Sequence, residues 1–154
     1  MILLKPKSDA DMKTWIPVMW ADYREAILSA GFSSEEAALN IERNEKTLFI
    51  NGAPNDEQHI FDVLDDERTV GAIWLAEGRE GSPSEWFVYD VVIAEEFRGK
   101  GLGRSTMQAA EDYVKSQGGT RLALNVFGYN VVARGLYESM GYKALAIGMR
   151  KDLV

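Results

Sequence analysis

Cysteine is absent from the 154-residue sequence, and histidine occurs once. Without cysteine there is no disulfide, no thiolate nucleophile and no cysteine-ligated zinc, and one histidine does not make a metal site by itself. No apolar run approaches the roughly 20 residues of a membrane-spanning helix, and the apolar N-terminal stretch is too short for a signal peptide. These absences predict a cytoplasmic protein that uses no metal and binds no membrane.

Charge is unevenly distributed along the chain. Residues 1–97 hold 20 acidic and 8 basic side chains, whereas residues 98–154 hold 4 and 9. An acidic chain is a poor nucleic-acid binder, because such binding depends on neutralising phosphates. The imbalance suits an anionic ligand on the C-terminal part and a cationic one on the remainder, although two solvated faces would produce it as well.

Apolar spacing and capping residues predict the order β, α, α, β, β, β, α, β, α, β. The predicted helices are Ser8 to Gly31, Ser33 to Asn44, Leu102 to Gln117 and Asn130 to Met140. The predicted strands are Ile2 to Leu4, Gln58 to Leu64, Thr69 to Ala76, Glu85 to Ile93, Arg121 to Val126 and Tyr142 to Arg150, with loops at 52–55 and 78–84. Pro17 predicts a kink in the first helix or a true start near Ile16. Hairpins combined with helical crossovers predict an α+β, or mixed α/β, domain around a twisted sheet.

A glycine-rich turn joins the strand ending at Ile93 to the next helix. Its residues are Arg98, Gly99, Lys100, Gly101, Leu102, Gly103, Arg104 and Ser105. Glycines let the backbone approach a ligand, and the first N–H groups of a helix lack intrahelical partners, so the turn is a candidate anion site. It is not a P-loop, because position 94 is alanine, and Thr106 breaks the dinucleotide fingerprint.

The pattern Arg-x-x-Gly-x-Gly at Arg98, Gly101 and Gly103 resembles the GNAT superfamily of acyl-CoA-dependent N-acetyltransferases. The segment from Leu122 through Asn130 to Tyr142 is similar to the second half of that family's domain. The resemblance implies one acetyltransferase domain over residues 1–154, with a central mixed sheet of six to seven strands and about four helices. One departure is Glu95, where many members have proline.

The resemblance also implies roles for individual residues. Backbone groups of Val91, Val92 and Ile93 would pair with the pantetheine arm of acetyl-CoA, and the amides of the turn would hold its pyrophosphate. A bulge in this strand would splay it from its neighbour and aim an N–H at the thioester carbonyl. Asn130 would contact the cofactor, and Tyr137 would donate a proton to the departing thiolate. A helix N-cap is the structural alternative for Asn130, and a core aromatic is the alternative for Tyr137.

The general base is not marked by any spacing rule. Asp90 and Glu85 lie on the central strand, where a carboxylate can accept the proton of the amine directly or through water, and we favour Asp90. Glu25 and Glu42 are alternative bases if the N-terminal helices line the acceptor pocket, whereas we interpret His59 as a structural side chain. Tyr23 is a candidate pocket wall by cation–π contact, and Glu85 a candidate acceptor contact.

The leading hypothesis is acetyl transfer from acetyl-CoA to a primary amine of a small molecule, peptide or protein by direct attack, since no cysteine is available for a covalent intermediate. The acidic N-terminal part favours a cationic acceptor, and the protein is a monomer or homodimer. The competing hypotheses are a non-catalytic acyl-CoA-binding module and a nucleotide-binding protein. The failed nucleotide fingerprints disfavour the last of these.

Overall fold

The computed structural model describes residues 1–78 and 81–154. In that part of the chain the strands are β1 (Ile2–Pro6), β2 (Phe49–Ile50), β3 (Ala53–Pro54), β4 (Gln58–Asp65), β5 (Arg68–Ala76), β6 (Glu85–Ile93) and β7 (Arg121–Leu124). The helices are α1 (Asp9–Ser29), α2 (Ser34–Leu48), α3 (Leu102–Ser116) and α4 (Val131–Ser139). The predicted mixed α/β class is confirmed, while the loop expected at 78–84 lies partly outside the described residues.

The central sheet has the order β1-β4-β5-β6-β7. Within this sheet β1, β4, β5 and β6 pair antiparallel in that order, and β7 pairs parallel with β6. A parallel pair needs a long crossover connection, and α3 lies within it. The segment predicted as a loop at 52–55 instead contains β3, which pairs with β2 across a turn at Asn51 and Gly52, both with positive φ.

Capping side chains set the starts of the first two helices. The Ser8 hydroxyl accepts a hydrogen bond from the Asp11 N–H and begins α1 as the capping pattern predicts, so the alternative start near Ile16 is wrong. Pro17 lies inside this continuous helix. Ser33 and Glu36 form a reciprocal capping box at the start of α2, which runs four residues beyond the predicted end at Asn44.

The last predicted strand, Tyr142 to Arg150, is wrong. The structure assigns no strand to these residues, and residues 143–154 are exposed. Consequently the central sheet holds five strands rather than the expected six or seven, with β2 and β3 forming a separate pair. The alternating apolar side chains of this segment fit a strand, but the segment has no paired neighbour within the described residues.

Two hydrophobic clusters cover the two faces of the sheet. One packs α3 against β4, β5 and β6, and includes Trp86 and Met107. The other packs α1 and the end of α2 against the sheet, and includes Trp20 and Trp74. Adjacent strand residues such as Ile73 and Trp74 fall in different clusters because side chains alternate across a strand. Among the described helices, none is long and apolar enough to cross a membrane.

Candidate active site

A bulge in β6 opens the sheet at its centre. Trp74 of β5 is opposite Asp90, but Leu75 is opposite Val88, so Tyr89 is an additional residue in β6. The pairing of β6 with β7 ends at Val88 and Leu124. Beyond that point residues 90–93 pair with β5, and no described strand pairs with them on the edge that would face β7. A bulge that bends one strand and ends its pairing is a common device next to active sites.

Close packing between β5 and β6 supports this geometry. A Cβ added at Gly71 would lie 2.0 Å from the Val92 carbonyl oxygen, so no other residue fits there without moving the backbone. The Ile93 carbonyl accepts a hydrogen bond of 2.8 Å from Arg98 Nε, which fixes the turn to the end of the strand. The predicted cofactor-facing segment 91–93 is therefore held firmly on its β5 side.

The glycine turn after β6 presents a row of backbone N–H groups. Gly99 and Gly101 have φ of 75° and 78°, a conformation in which L side chains are strained. Within the described residues, the N–H groups of residues 99–104 donate to no oxygen, and the first bond of α3 runs from the Ser105 N–H to the Gly101 carbonyl. Ser105 was predicted to bind the anion, but its N–H and its hydroxyl both donate to Gly101, so its N–H is not free.

Three basic side chains belong to the same turn. Arg98 is bound to Ile93 through Nε, and one terminal nitrogen of Arg104 donates to the Ser139 hydroxyl at 2.6 Å. Arg98, Lys100 and Arg104 are all exposed. A guanidinium has five N–H donors, so both arginines keep donors for a ligand. The helix N-terminus, the free amides and the cations together make a site for an anion.

Asp90 is the most perturbed carboxylate of the site. Its pKa is raised from 3.8 to about 7, chiefly by burial and also by the negative charge of Asp22, while a hydrogen bond from the Val91 N–H opposes the rise. A carboxylate with a pKa near 7 exchanges protons readily at neutral pH. The bulge places this residue beside the point where β6 and β7 separate.

Two tyrosines share the surroundings of Asp90. Burial raises the pKa of Tyr137, and the charge of Asp90 raises it as well. Burial likewise raises the pKa of Tyr23, with added contributions from Tyr89 and Asp90. The hydroxyl of Tyr137 forms no hydrogen bond within the part of the chain described. Tyr137 is therefore a protonated donor that remains available to a ligand.

A cavity of about 1160 Å³ contains these groups. It is lined by α1, α2, the open edge of β6, the residues after β7 and the start of α4. Its described charged lining residues are five carboxylates and one guanidinium: Asp22, Glu36, Glu57, Glu77, Asp90 and Arg43. The predicted residues Tyr23, Val91, Val92, Asn130 and Tyr137 all line it. The cavity is thus strongly acidic, whereas the glycine turn is basic.

Other predicted residues lie elsewhere. Glu85 is at the start of β6 and faces a separate groove beside β7, about five strand residues or roughly 16 Å from Asp90, so it does not share the acceptor cavity as expected. Glu25 and Glu42 are exposed and do not line the cavity. Asn130 caps α4 by accepting from the Ala133 N–H, so its N-cap interpretation is confirmed.

Among the described residues, no group of histidine and acidic side chains could hold a metal.

Asp22 is the site residue that the sequence did not reveal. It lies on an exposed position of α1, and its importance comes from its proximity to Asp90. Helical periodicity places it on the polar side of α1, where it looks like any solvated carboxylate. Its electrostatic influence on Asp90 depends on how α1 packs on the sheet, and no local pattern indicates that packing.

Comparison with known proteins adds independent findings. The model of the acetyltransferase (GNAT) family matches residues 17–142. The chain is 29% identical to the uncharacterized N-acetyltransferase YycN of Bacillus subtilis over 99% of both chains, and 31% identical to YdgE of the same organism over 84% and 83%. The crystal structure of YycN superposes with a TM-score of 0.90 over 100% of this chain and 99% of that one. AAC(6')-Iy, in complex with the bisubstrate analogue CoA-S-monomethyl-acetylneamine, shares the fold with a TM-score of 0.58 at 14% identity over 99% of both chains.

Proposed function

The chain belongs to the GNAT acetyltransferase family, and from that premise we propose that residues 1–154 form one N-acetyltransferase domain that moves an acetyl group from acetyl-CoA to a cationic primary amine. The observation that carries the proposal is the bulge at Tyr89, which puts Asp90 and the open edge of β6 into one acidic cavity with Tyr137. The basic turn lies at the end of the same strand.

The turn fits the diphosphate of coenzyme A. Its free N–H groups and three cations meet the need of a group with two negative charges, and nothing lies within 4 Å of a Cβ built at Gly99 or Gly101. The open edge of residues 91–93 offers backbone groups to the pantetheine amides in the manner of an added strand. When bound, acetyl-CoA supplies the activated acetyl thioester.

Asp90 serves as the general base. An alkylamine has a pKa of about 10.4, so its neutral form near pH 7 costs roughly 4–5 kcal/mol, which is the largest chemical obstacle in the reaction. Asp90, with a pKa of about 7, removes the ammonium proton directly or through one water. The proton then lies on a buried carboxyl that tolerates the neutral state.

Tyr137 serves as the general acid. Its raised pKa keeps the hydroxyl protonated at neutral pH, and that hydroxyl has no competing partner within the described residues. It is therefore able to give a proton to the departing thiolate of coenzyme A. Asn130 orients this region by fixing the start of α4, on which Tyr137 lies two turns later.

The acceptor enters from the side of α1 and α2. The five carboxylates of the cavity attract a cation and disfavour an anionic acceptor. Tyr23 supplies an aromatic wall and Asp22 supplies charge beside the base. YycN is named an N-acetyltransferase, and AAC(6')-Iy is described in complex with a bisubstrate analogue that joins CoA to acetylneamine.

The test is thiol release from acetyl-CoA across polyamines, aminoglycosides, amino acids and peptides. Since the chain has no cysteine, the protein contributes no thiol of its own, and a reaction without acceptor measures simple hydrolysis of the thioester. We expect acceptor-dependent release with the wild type and a fall in kcat for Tyr137→Phe with unchanged acetyl-CoA affinity. Absence of release with every amine, together with acetyl-CoA binding by calorimetry, would favour the non-catalytic acyl-CoA-binding module instead.

Tyr142→Phe is the matched control. Tyr142 is a half-buried tyrosine whose ring centroid lies 5.9 Å from that of Tyr137, but its hydroxyl donates to Glu111 and it lies outside the acidic cavity. Its loss of one hydroxyl matches the chemical change at Tyr137. Equal falls in kcat for both variants would contradict the acid role of Tyr137.

A further inference from the structure

Arg43 is the one basic side chain among the described residues that line the acidic cavity. It lies on α2, and residues three and four apart on a helix share one face. The α2 residues that line the cavity have this spacing: Glu36, Leu39, Asn40, Arg43, Asn44 and Thr47. The face of α2 that forms the cavity wall therefore carries the guanidinium, and the cavity holds one cation among five carboxylates.

The Arg43 guanidinium forms no ion pair or hydrogen bond within the part of the chain that the structure describes. The nearest positions on the same helix face hold no acid: they are Leu39, Asn40, Lys46 and Thr47. Lys46, by contrast, has Glu42 one turn before it and donates to that carboxylate at 2.8 Å. Arg43 thus keeps all five of its N–H donors for a ligand.

Two asparagine side chains add hydrogen-bond donors to this wall. Asn44 Nδ2 donates to Asn40 Oδ1 at 3.0 Å, which uses the acceptor of Asn40 and leaves its two N–H groups without a partner among the described residues. Glu36, on the same helix face, is bound by Arg150 at 2.8 Å. The middle of the α2 wall therefore presents donors, and a ligand carboxylate supplies the matching acceptors, because guanidinium and carboxylate pair through two parallel hydrogen bonds.

Tyr23 shows that this wall and the proposed base face a common space. Burial raises the pKa of Tyr23, Tyr89 and Asp90 raise it further, and the positive charge of Arg43 opposes the rise. Tyr23, Asp90 and Arg43 all line the cavity. A small molecule in contact with the Tyr23 hydroxyl is therefore within reach of a carboxyl group on β6 and a guanidinium on α2.

We propose that the acceptor carries a carboxylate as well as its amine, and that Arg43 binds this carboxylate while Asp90 receives the reacting amine. The inference rests on the proposed acetyl transfer and narrows its acceptor class. The reaction itself is unchanged: the amine nitrogen bonds to the acetyl carbon and the C–S bond breaks. The ammonium proton goes to Asp90, and the thiolate takes a proton from Tyr137.

Charge balance narrows the acceptor further. Glu36 is already paired with Arg150 and Asp90 takes the reacting proton, which leaves three cavity carboxylates to face a second ammonium group: Asp22, Glu57 and Glu77. A polyamine would place only ammonium groups against the guanidinium, and a monoamino acid would leave the remaining carboxylates without a counter-charge. A diamino acid, with two ammonium groups and one carboxylate, satisfies both walls of the cavity.

The test compares two acceptors that differ only in the carboxylate, L-lysine and its decarboxylated form cadaverine, by thiol release with the full chain. For the wild type we expect kcat/KM to be about 10- to 100-fold higher for lysine, as a hydrogen-bonded charge pair provides. Arg43→Met should bring the two acceptors to similar kcat/KM. Arg43→Lys keeps the charge without the two-pronged geometry, so it should retain part of the preference.

Lys46→Met is the matched control. It removes an exposed cation from the same helix, but Lys46 is bound to Glu42 and does not line the cavity. The preference for lysine should be unchanged in this variant, and thiol release with cadaverine shows in the same assay that each variant is folded.

The outcomes separate this inference from the proposed function. Equal kcat/KM for lysine and cadaverine in the wild type overturns the carboxylate site, and so does a preference for lysine that survives in Arg43→Met or is lost in Lys46→Met. In each of these cases acetyl transfer to amines still stands. If no amine gives thiol release, the proposed function is wrong and the inference is overturned with it.

Discussion

Replacing Asp90 by asparagine should make the protein less active and more stable, with the stability gain confined to higher pH. Burial and Asp22 raise the pKa of Asp90 from 3.8 to about 7. The folded state therefore holds this proton more tightly than the unfolded chain does. The carboxyl contributes stability below pH 3.8, and that contribution is lost as pH rises through about 7.

The magnitude follows from the size of the shift. A rise of roughly three pKa units corresponds to about 4 kcal/mol, lost between pH 3.8 and about 7. Between pH 5 and pH 8 the wild type should lose about 2 to 3 kcal/mol relative to Asp90→Asn, because roughly two of those units lie in that interval. Urea unfolding of both proteins at the two pH values measures the difference. At the same time acetyl transfer should fall about 10²- to 10⁴-fold in the variant.

The pH profile of the wild type supplies a check on the same reasoning. kcat/KM should fall as pH drops through about 7, where Asp90 becomes protonated. Asp22→Asn removes a charge that raises the pKa of Asp90, so its acidic limb should move to lower pH. A stability difference between Asp90→Asn and wild type that does not change with pH would refute the argument, as would an unmoved limb in Asp22→Asn.

Three further substitutions test other parts of the structure. Gly101→Ala should raise the KM for acetyl-CoA and lower the free energy of unfolding by about 1–2 kcal/mol, because Gly101 has a positive φ. Gly118 also has a positive φ but lies beyond the other end of α3. Gly118→Ala should therefore lower the free energy of unfolding by a similar amount without changing the KM. Gly71→Ala should lower both stability and activity, because its Cβ would meet the Val92 carbonyl oxygen at 2.0 Å; an unchanged Tm would show that the strands separate freely. Ser33→Ala should lower the unfolding free energy by about 1 kcal/mol through the lost capping box while leaving acetyl transfer at saturating substrate unchanged.

Local signals were enough to predict much of the fold. The strand Glu85 to Ile93 has the predicted bounds, and the capping residues Ser8 and Ser33 begin the first two helices as expected. These features depend on residues close together in the sequence. The turn at Gly99 to Gly103 was likewise recognisable, because glycines at positive φ before a helix leave a sequence pattern.

Features that depend on distant residues were less accessible. The strand at Tyr142 to Arg150 was predicted from its alternating side chains, but alternation does not say whether a neighbouring edge is within reach. Glu85 and Asp90 share one strand and one residue class, and the bulge at Tyr89 decides which of them enters the cavity. The influence of Asp22 on Asp90 arises from helix packing on the sheet, and neither residue signals it.

The two hydrophobic clusters on opposite faces of the sheet support different parts of the proposed site. The cluster under α3 supports the helix that begins at the proposed diphosphate site, and the cluster under α1 and α2 supports the proposed acceptor wall. Substitutions at distant, independent sites usually have additive effects. Substitutions on the proposed acceptor face are therefore expected to change acceptor preference with little effect on acetyl-CoA binding, and variants selected separately on the two faces should combine with nearly additive effects.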